Sequence, residues 1–292
     1  EEKQRIVNNL NEPLLKNQPK QLEAVAKAII AQDMALIQGP PGTGKTTVIA
    51  EIIWQTLLRN PEAKILITSQ TNLAVDNALE RLKGKKMVRP IRIGNIEKFE
   101  DEGKIYAKDR LDEWRNAKVG EQKIDADNAI SYWMDNVVRN CSKEEKYQET
   151  IEKWKKALED KQNLGKDFAD KYFSHINVFA ATCSECGSRN FSDTYQAIFS
   201  DKNIEFDVVI MDEASKATPP ELVLPLTLGK KVVIIGDHKQ LPPMIDENEF
   251  GEALEKVGAK ELINEWTKDD YKISQFEKLF VNAPRSIVAS LD

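Results

Sequence analysis

The chain has little of what marks several large protein classes. Only three of its 292 residues are cysteine and two are histidine. A disulfide framework is therefore excluded, and a zinc site has few ligands to draw on. No run approaches the ~20 apolar residues that a bilayer crossing requires, and the opening EEKQRIVNNL lacks an apolar signal core. Positive charge is not in excess either: 42 Lys and Arg stand against 48 Asp and Glu, for a net charge of −6. That balance argues against holding nucleic acid by bulk electrostatics. These absences predict an intracellular chain, cytoplasmic or nuclear, that is not secreted and has no membrane partner. The chain does have 41% hydrophobic residues, ample for a core. Its length fits two domains, or one domain with a large insertion.

Short apolar runs rich in Val and Ile recur along the chain: Met34–Gln38, Ile65–Thr68, Asn177–Thr182, Asp207–Met211 and Lys231–Ile235. Such runs fit strands buried on both faces of a parallel sheet. Val88–Ile93 also reads as extended, with Pro90 pointing to an edge or a strand start. Helical periodicity follows at Lys45–Leu58 and Asn72–Leu82, giving a doubly wound α/β layer. Residues 95–172 break this rhythm. One apolar stripe runs through Ile130, Met134, Val137 and Cys141, and another through Tyr147, Ile151, Trp154 and Leu158. The CSKEE between them predicts an antiparallel helical hairpin inserted between two parts of the body, 1–94 and 173–292. At this spacing the aromatic residues serve first to pack helix on helix. A basic strip near Lys143–Lys156 reads as a solvated helix face.

Gly39-Pro40-Pro41-Gly42-Thr43-Gly44-Lys45-Thr46 fits the P-loop pattern, G-x-x-x-x-G-K followed by Ser or Thr, at every position. It lies between a predicted strand and a predicted helix, the context in which curled backbone N–H groups and a helix N-terminus face phosphates. Lys45 is then placed to reach the β- and γ-phosphates, and the Thr46 hydroxyl to ligate Mg²⁺. Downstream, Val208–Met211 ends in Asp212-Glu213. On a parallel sheet this strand end shares the ligand edge with the P-loop. Asp212 is expected to hold Mg²⁺ through water, and Glu213 to orient and deprotonate the attacking water. Cys183-Ser184-Glu185-Cys186 is a lone C-x-x-C. Zinc would need two more ligands, and only Cys141, His175 and His238 are available, so no zinc site is expected.

A P-loop alone does not choose among ATPase classes. The segments DEAS (212–215), GDHKQLPP (236–243) and TSQTNLAVDNALERL (68–82) resemble superfamily 1 helicases. The nearest branch contains the nonsense-mediated mRNA decay helicase, senataxin and the immunoglobulin mu-binding helicase. That resemblance implies a RecA-like P-loop NTPase domain using ATP and Mg²⁺ on single-stranded DNA or RNA, with 5′-to-3′ movement. It implies ATP contacts at Gly39, Pro41, Gly42, Thr43, Gly44, Lys45, Thr46 and Thr47, with Gln21 reading adenine. Gln240 would sense the γ-phosphate, supported by Asp237. Thr68, Thr71, Asn72 and Thr182 would contact the nucleic-acid backbone, where contacts position rather than specify. In the family a second RecA-like domain supplies arginines worth roughly 10³–10⁵ in rate. Its Q-Y-R-M motif is absent here, so little hydrolysis is expected of this chain alone. Two other readings stand beside this one. The first is an ATP-switched module whose insertion docks a protein partner; the second is an AAA+ ATPase, which the GDHKQLPP segment disfavours.

Overall fold

A computed structural model of the chain describes residues 18–85, 87–110, 170–240 and 274–291, with positions 10, 13, 15, 112, 149 and 153. Seven strands are present among the described residues, most of them Val- and Ile-rich runs: β1 (Met34–Gln38), β2 (Ile65–Ser69), β3 (Pro90–Arg92), β4 (Val178–Thr182), β5 (Phe206–Asp212), β6 (Gly229–Gly236) and β7 (Val288–Ser290). They form one sheet in the order β3-β4-β2-β5-β6-β1-β7, and every pairing is parallel. This is the expected doubly wound α/β, RecA-like layer. Pro90 opens β3 at the sheet edge, where its missing N–H costs no ladder bond.

The helices are α1 (Pro19–Ile30), α2 (Lys45–Arg59), α3 (Asn72–Leu82), α4 (Asp101–Ile105), α5 (Arg189–Phe199), α6 (Pro219–Leu226) and α7 (Gln275–Asn282). Strand alternation divides the core between them. Ile65, Ile67, Val208, Ile210, Val233 and Ile235 face one side, against Val25, Val48, Ile52, Val75 and Leu79 of α1, α2 and α3. Leu66, Val209, Met211 and Ile234 face the other side, against an aromatic cluster of Phe179, Phe191, Tyr195 and Phe206. Each strand is apolar on both faces because both are covered, the arrangement that continuous apolar runs anticipate.

The seventh strand has no counterpart among the sequence expectations. Val288–Ser290 adds beside β1, with Leu36 opposite Val288 and Lys27 Nζ donating to Val288 O at 2.7 Å. Three residues are too few to show a period of their own. At the opposite edge, residues 96–107 pack on the body: Phe99 and Ala107 are buried, and Ala107 bridges to Arg92. The two apolar stripes proposed for the helical hairpin lie outside the described residues. Among the described residues no helix is long and apolar enough to cross a membrane.

Candidate nucleotide-binding and hydrolysis site

The P-loop leaves β1 at the C-terminal edge of the sheet and enters α2. Gly42 and Gly44 take φ of 81° and 84°, left-handed values at which a side chain is strained. A Cβ on either would meet nothing within 4 Å, so the concavity is open. Lys45 lies folded over it, with Nζ donating to Gly39 O at 2.8 Å and Pro40 O at 3.2 Å. The Thr43 hydroxyl donates to Pro40 O at 2.8 Å. Gln21, on α1, donates through Nε2 to Thr43 O at 3.2 Å, which sets this residue at the rim of the loop. Thr46 and Thr47 occupy the first turn of α2.

Asp212 ends β5 and is buried; burial pushes its carboxyl up to about 6, against the lowering effects of the Glu213 N–H and the Lys45 charge. The next residue, Glu213, has φ of 54°. A non-glycine residue there costs about 1–2 kcal/mol, so the chain bends sharply where the two carboxylates diverge. Glu213 N donates to Asp212 Oδ1 at 2.8 Å. Its own carboxylate is held at both oxygens: the Thr71 hydroxyl donates to Oε2 at 3.1 Å and Lys216 Nζ to Oε1 at 3.0 Å.

One strand over, Asp237 follows β6 and joins three segments. Gln38 Nε2 donates to Asp237 Oδ1 at 2.6 Å, Lys239 N donates to the same oxygen at 3.1 Å, and Asp237 N donates to Ser215 Oγ at 3.2 Å. Burial works against the Asp237 charge. The bonds from Lys239 N, Gln38 and Gln240, with the Lys45 charge, outweigh it and hold the carboxyl below its ordinary range. Gln240 is thus bonded to Asp237, and its N–H donates to Asp237 O at 3.0 Å. Gln38 also accepts from His238 N at 3.2 Å, and its Oε1 lies 2.7 Å from His238 Nδ1. Gln38, Ser215 and Lys216 escaped sequence reasoning as site residues. Their partners lie on other strands or in the adjoining turn; the position of Gln38 at the end of the P-loop strand and that of Ser215 in the DEAS segment were the signals available.

The four residues expected to touch nucleic acid are differently placed. Thr68 is fully buried, and its hydroxyl lies 3.5 Å from Cys183 Sγ and 3.7 Å from Cys186 Sγ. Thr71 caps α3, accepting from Ala74 N at 3.3 Å while donating to Glu213. The amide oxygen of Asn72 accepts from Arg92 Nη2 at 2.7 Å. Thr182 is half-buried, 3.4 Å from the Ser184 hydroxyl. Burial pushes the thiols up to about 11 for Cys183 and about 12 for Cys186. Among the described residues, no group of three or more His, Cys, Asp and Glu side chains placed to hold a metal ion occurs. A cavity of about 520 Å³ lined by Lys27, Asp33, Met34 and Ile287 sits at the start of β1 and includes none of these groups.

A parallel sheet with a strand–P-loop–helix unit, paired carboxylates on a nearby strand end and a hydrogen-bonded Asp237 on the strand between them defines a RecA-like P-loop NTPase domain. A family model described as an AAA domain matches residues 16–248. The chain is 33% identical over 280 residues to an uncharacterized ATP-dependent helicase of Methanocaldococcus jannaschii, covering 82% of this chain and 39% of that relative. It is 33% identical over 229 residues to the DNA polymerase alpha-associated DNA helicase A of Saccharomyces cerevisiae, covering 74% of this chain and 31% of the relative. With the ATP-dependent helicase upf1 of Schizosaccharomyces pombe it shares 27% over 250 residues, 83% of this chain and 24% of the relative. The chain belongs to the superfamily 1 helicases and holds their N-terminal RecA-like half. It spans well under half the length of each of these relatives.

Proposed function

We propose that this chain is the nucleotide-binding RecA-like half of an ATP-driven translocase on single-stranded nucleic acid. The observation that carries the proposal is the convergence at one sheet edge of the P-loop, Asp212-Glu213 and Asp237-Gln240, cross-linked by Gln38 and Ser215. Lys45 exchanges its two loop carbonyls for phosphate oxygens, at little structural cost because both are its own near neighbours. Thr46 and Asp212 offer hard oxygen donors suited to Mg²⁺, which when bound would offset phosphate charge. Glu213 leaves Thr71 or Lys216 to face the attacking water. Asp237 and Gln240 pass the state of the site to β6 and, through Gln38, back to β1. Nucleic acid is held by placed hydroxyl, amide and backbone donors around Thr71, Asn72 and Thr182, which need no net positive charge; the Thr68 hydroxyl, expected among them, is instead buried against two thiols and serves the core.

A second RecA-like domain completes hydrolysis by adding transition-state arginines. The chain alone is therefore expected to bind ATP with Mg²⁺ but to turn it over far more slowly than a two-domain motor. Calorimetric ATP binding and multiple-turnover hydrolysis test this directly. In a protein carrying both domains, Glu213→Gln should keep ATP binding and abolish movement along a single strand. Fast turnover by the chain alone, or movement that survives Glu213→Gln, would refute the reading.

A further inference from the structure

At the end of β2 one polar group has no use in the protein alone. Ser69 is fully buried, and its Oγ has no hydrogen-bond partner. Buried hydroxyls are nearly always bonded, and an unbonded one signals an absent partner. The neighbouring hydroxyls are satisfied: that of Thr68 on the same strand meets two cysteine sulfurs, and that of Thr182, opposite Ser69 on β4, meets Ser184.

Direction follows from alternation along the strand. Ile65 and Ile67 pack on the face covered by the P-loop helix, so Ser69 belongs to that face as well. Val208 and Ile210 of β5 share it, which places Asp212 there too. Ser69 stands opposite Asp212 in the parallel register, on strands about 4.8 Å apart. The spare hydroxyl is therefore the immediate lateral neighbour of the carboxylate expected to bind the cation.

Mg²⁺ has a tight octahedral shell and keeps several of its waters. Each retained water needs its protons accepted, and Asp212 already receives the Glu213 N–H. We propose that Ser69 is a further residue of the cation site, its hydroxyl accepting from a cation-bound water beside Asp212. This deepens the proposed ATP and Mg²⁺ reading and rests on it. Ser69 touches the water and not the cation, and acts as a positioning residue.

The test is ADP binding by calorimetry in Mg²⁺ and in excess chelator, for wild type and Ser69→Ala, together with melting of the ligand-free proteins. The expected result is a cation-dependent gain in ADP affinity that falls about tenfold or more in the variant, with chelator affinity unchanged. Because Ala removes an unpaired buried hydroxyl, the ligand-free variant should melt no lower than wild type. A cation gain within about twofold of wild type overturns the role of Ser69 while leaving the nucleotide site standing. A lower ligand-free melting temperature also overturns it, since the hydroxyl would then have a protein partner. Wild-type ADP binding that ignores the cation overturns both this role and the proposed cation site.

Discussion

The two halves of the sheet edge commit their polar groups in opposite ways. At the P-loop, Lys45 bonds to carbonyls five and six residues away, inside a single loop. Across β2 and β4, the comparable cation is Arg92, whose partners Asp76 and Asn72 lie on α3 and whose partner Ala180 lies on β4. The Arg92–Asp76 pair is 2.8 Å long with both side chains fully buried, and Phe99 stacks on the guanidinium. Burial alone drives the Arg92 pKa down, opposed by the Asp76 bond and charge. A lysine satisfied by its own loop can give up those bonds to a ligand. An arginine that ties helix to sheet cannot, and so works as structure. Both are cations at the ligand edge of one sheet, and the span of their bonds separates them.

Breaking that comparison is a matter of which free energy each cation controls. Arg92→Ala should cost about 3–5 kcal/mol of stability, because it strands the Asp76 carboxylate in the core; urea unfolding measures it, and a cost below about 1 kcal/mol would make the two halves alike. Lys45→Ala should leave urea unfolding nearly unchanged while weakening ATP binding by about 1.5–3 kcal/mol, the scale of a charged hydrogen bond. Thr71→Ala should lower stability by about 1 kcal/mol through the lost cap on α3, with Thr71→Ser restoring most of it in the same melting series. The smallest effect is expected of the buried thiols. With their pKa values raised, Cys183 and Cys186 should be alkylated at pH 8 about 100-fold more slowly in the native than in the urea-unfolded protein. Their contribution to stability is intact below about pH 8.5, the unfolded thiol range, and is lost as pH climbs toward the raised native values. Equal alkylation in both states would show the pair to be open.

Five strands were legible because each is a buried apolar run and a sixth, β3, from an extended segment around Pro90; strand Met34–Gln38 and helix Asn72–Leu82 match the structure to the residue. The P-loop and the DEAS segment were legible because their chemistry is contiguous in the chain. β7 was not, being three residues long with its order set by pairing to β1. Nor were α5 and α6 named among the expected helices. α5 carries Phe191 and Tyr195 at helical spacing behind a Ser188 cap, a signal that was there to read. α6, which begins Pro219-Pro220, is a turn-like sequence that a capping box at Thr218 and Glu221 starts as a helix. The wiring of Gln38 to Asp237, 199 residues apart, leaves no local mark at all. Site chemistry carried by neighbours in sequence can be read; site chemistry carried by neighbours in space has to be seen.

Arg92 also imposes an order in time. Its guanidinium donates to Ala180 O, 88 residues further along the chain. Until β4 arrives, β3 has no strand to pair with and holds a cation whose hydration can be surrendered only at a loss. Closing so long a loop is slow compared with forming the helices and turns on either side. The β3–β4 border thus closes only after the helices and turns beside it, once the chain returns at Val178 to pair with Pro90.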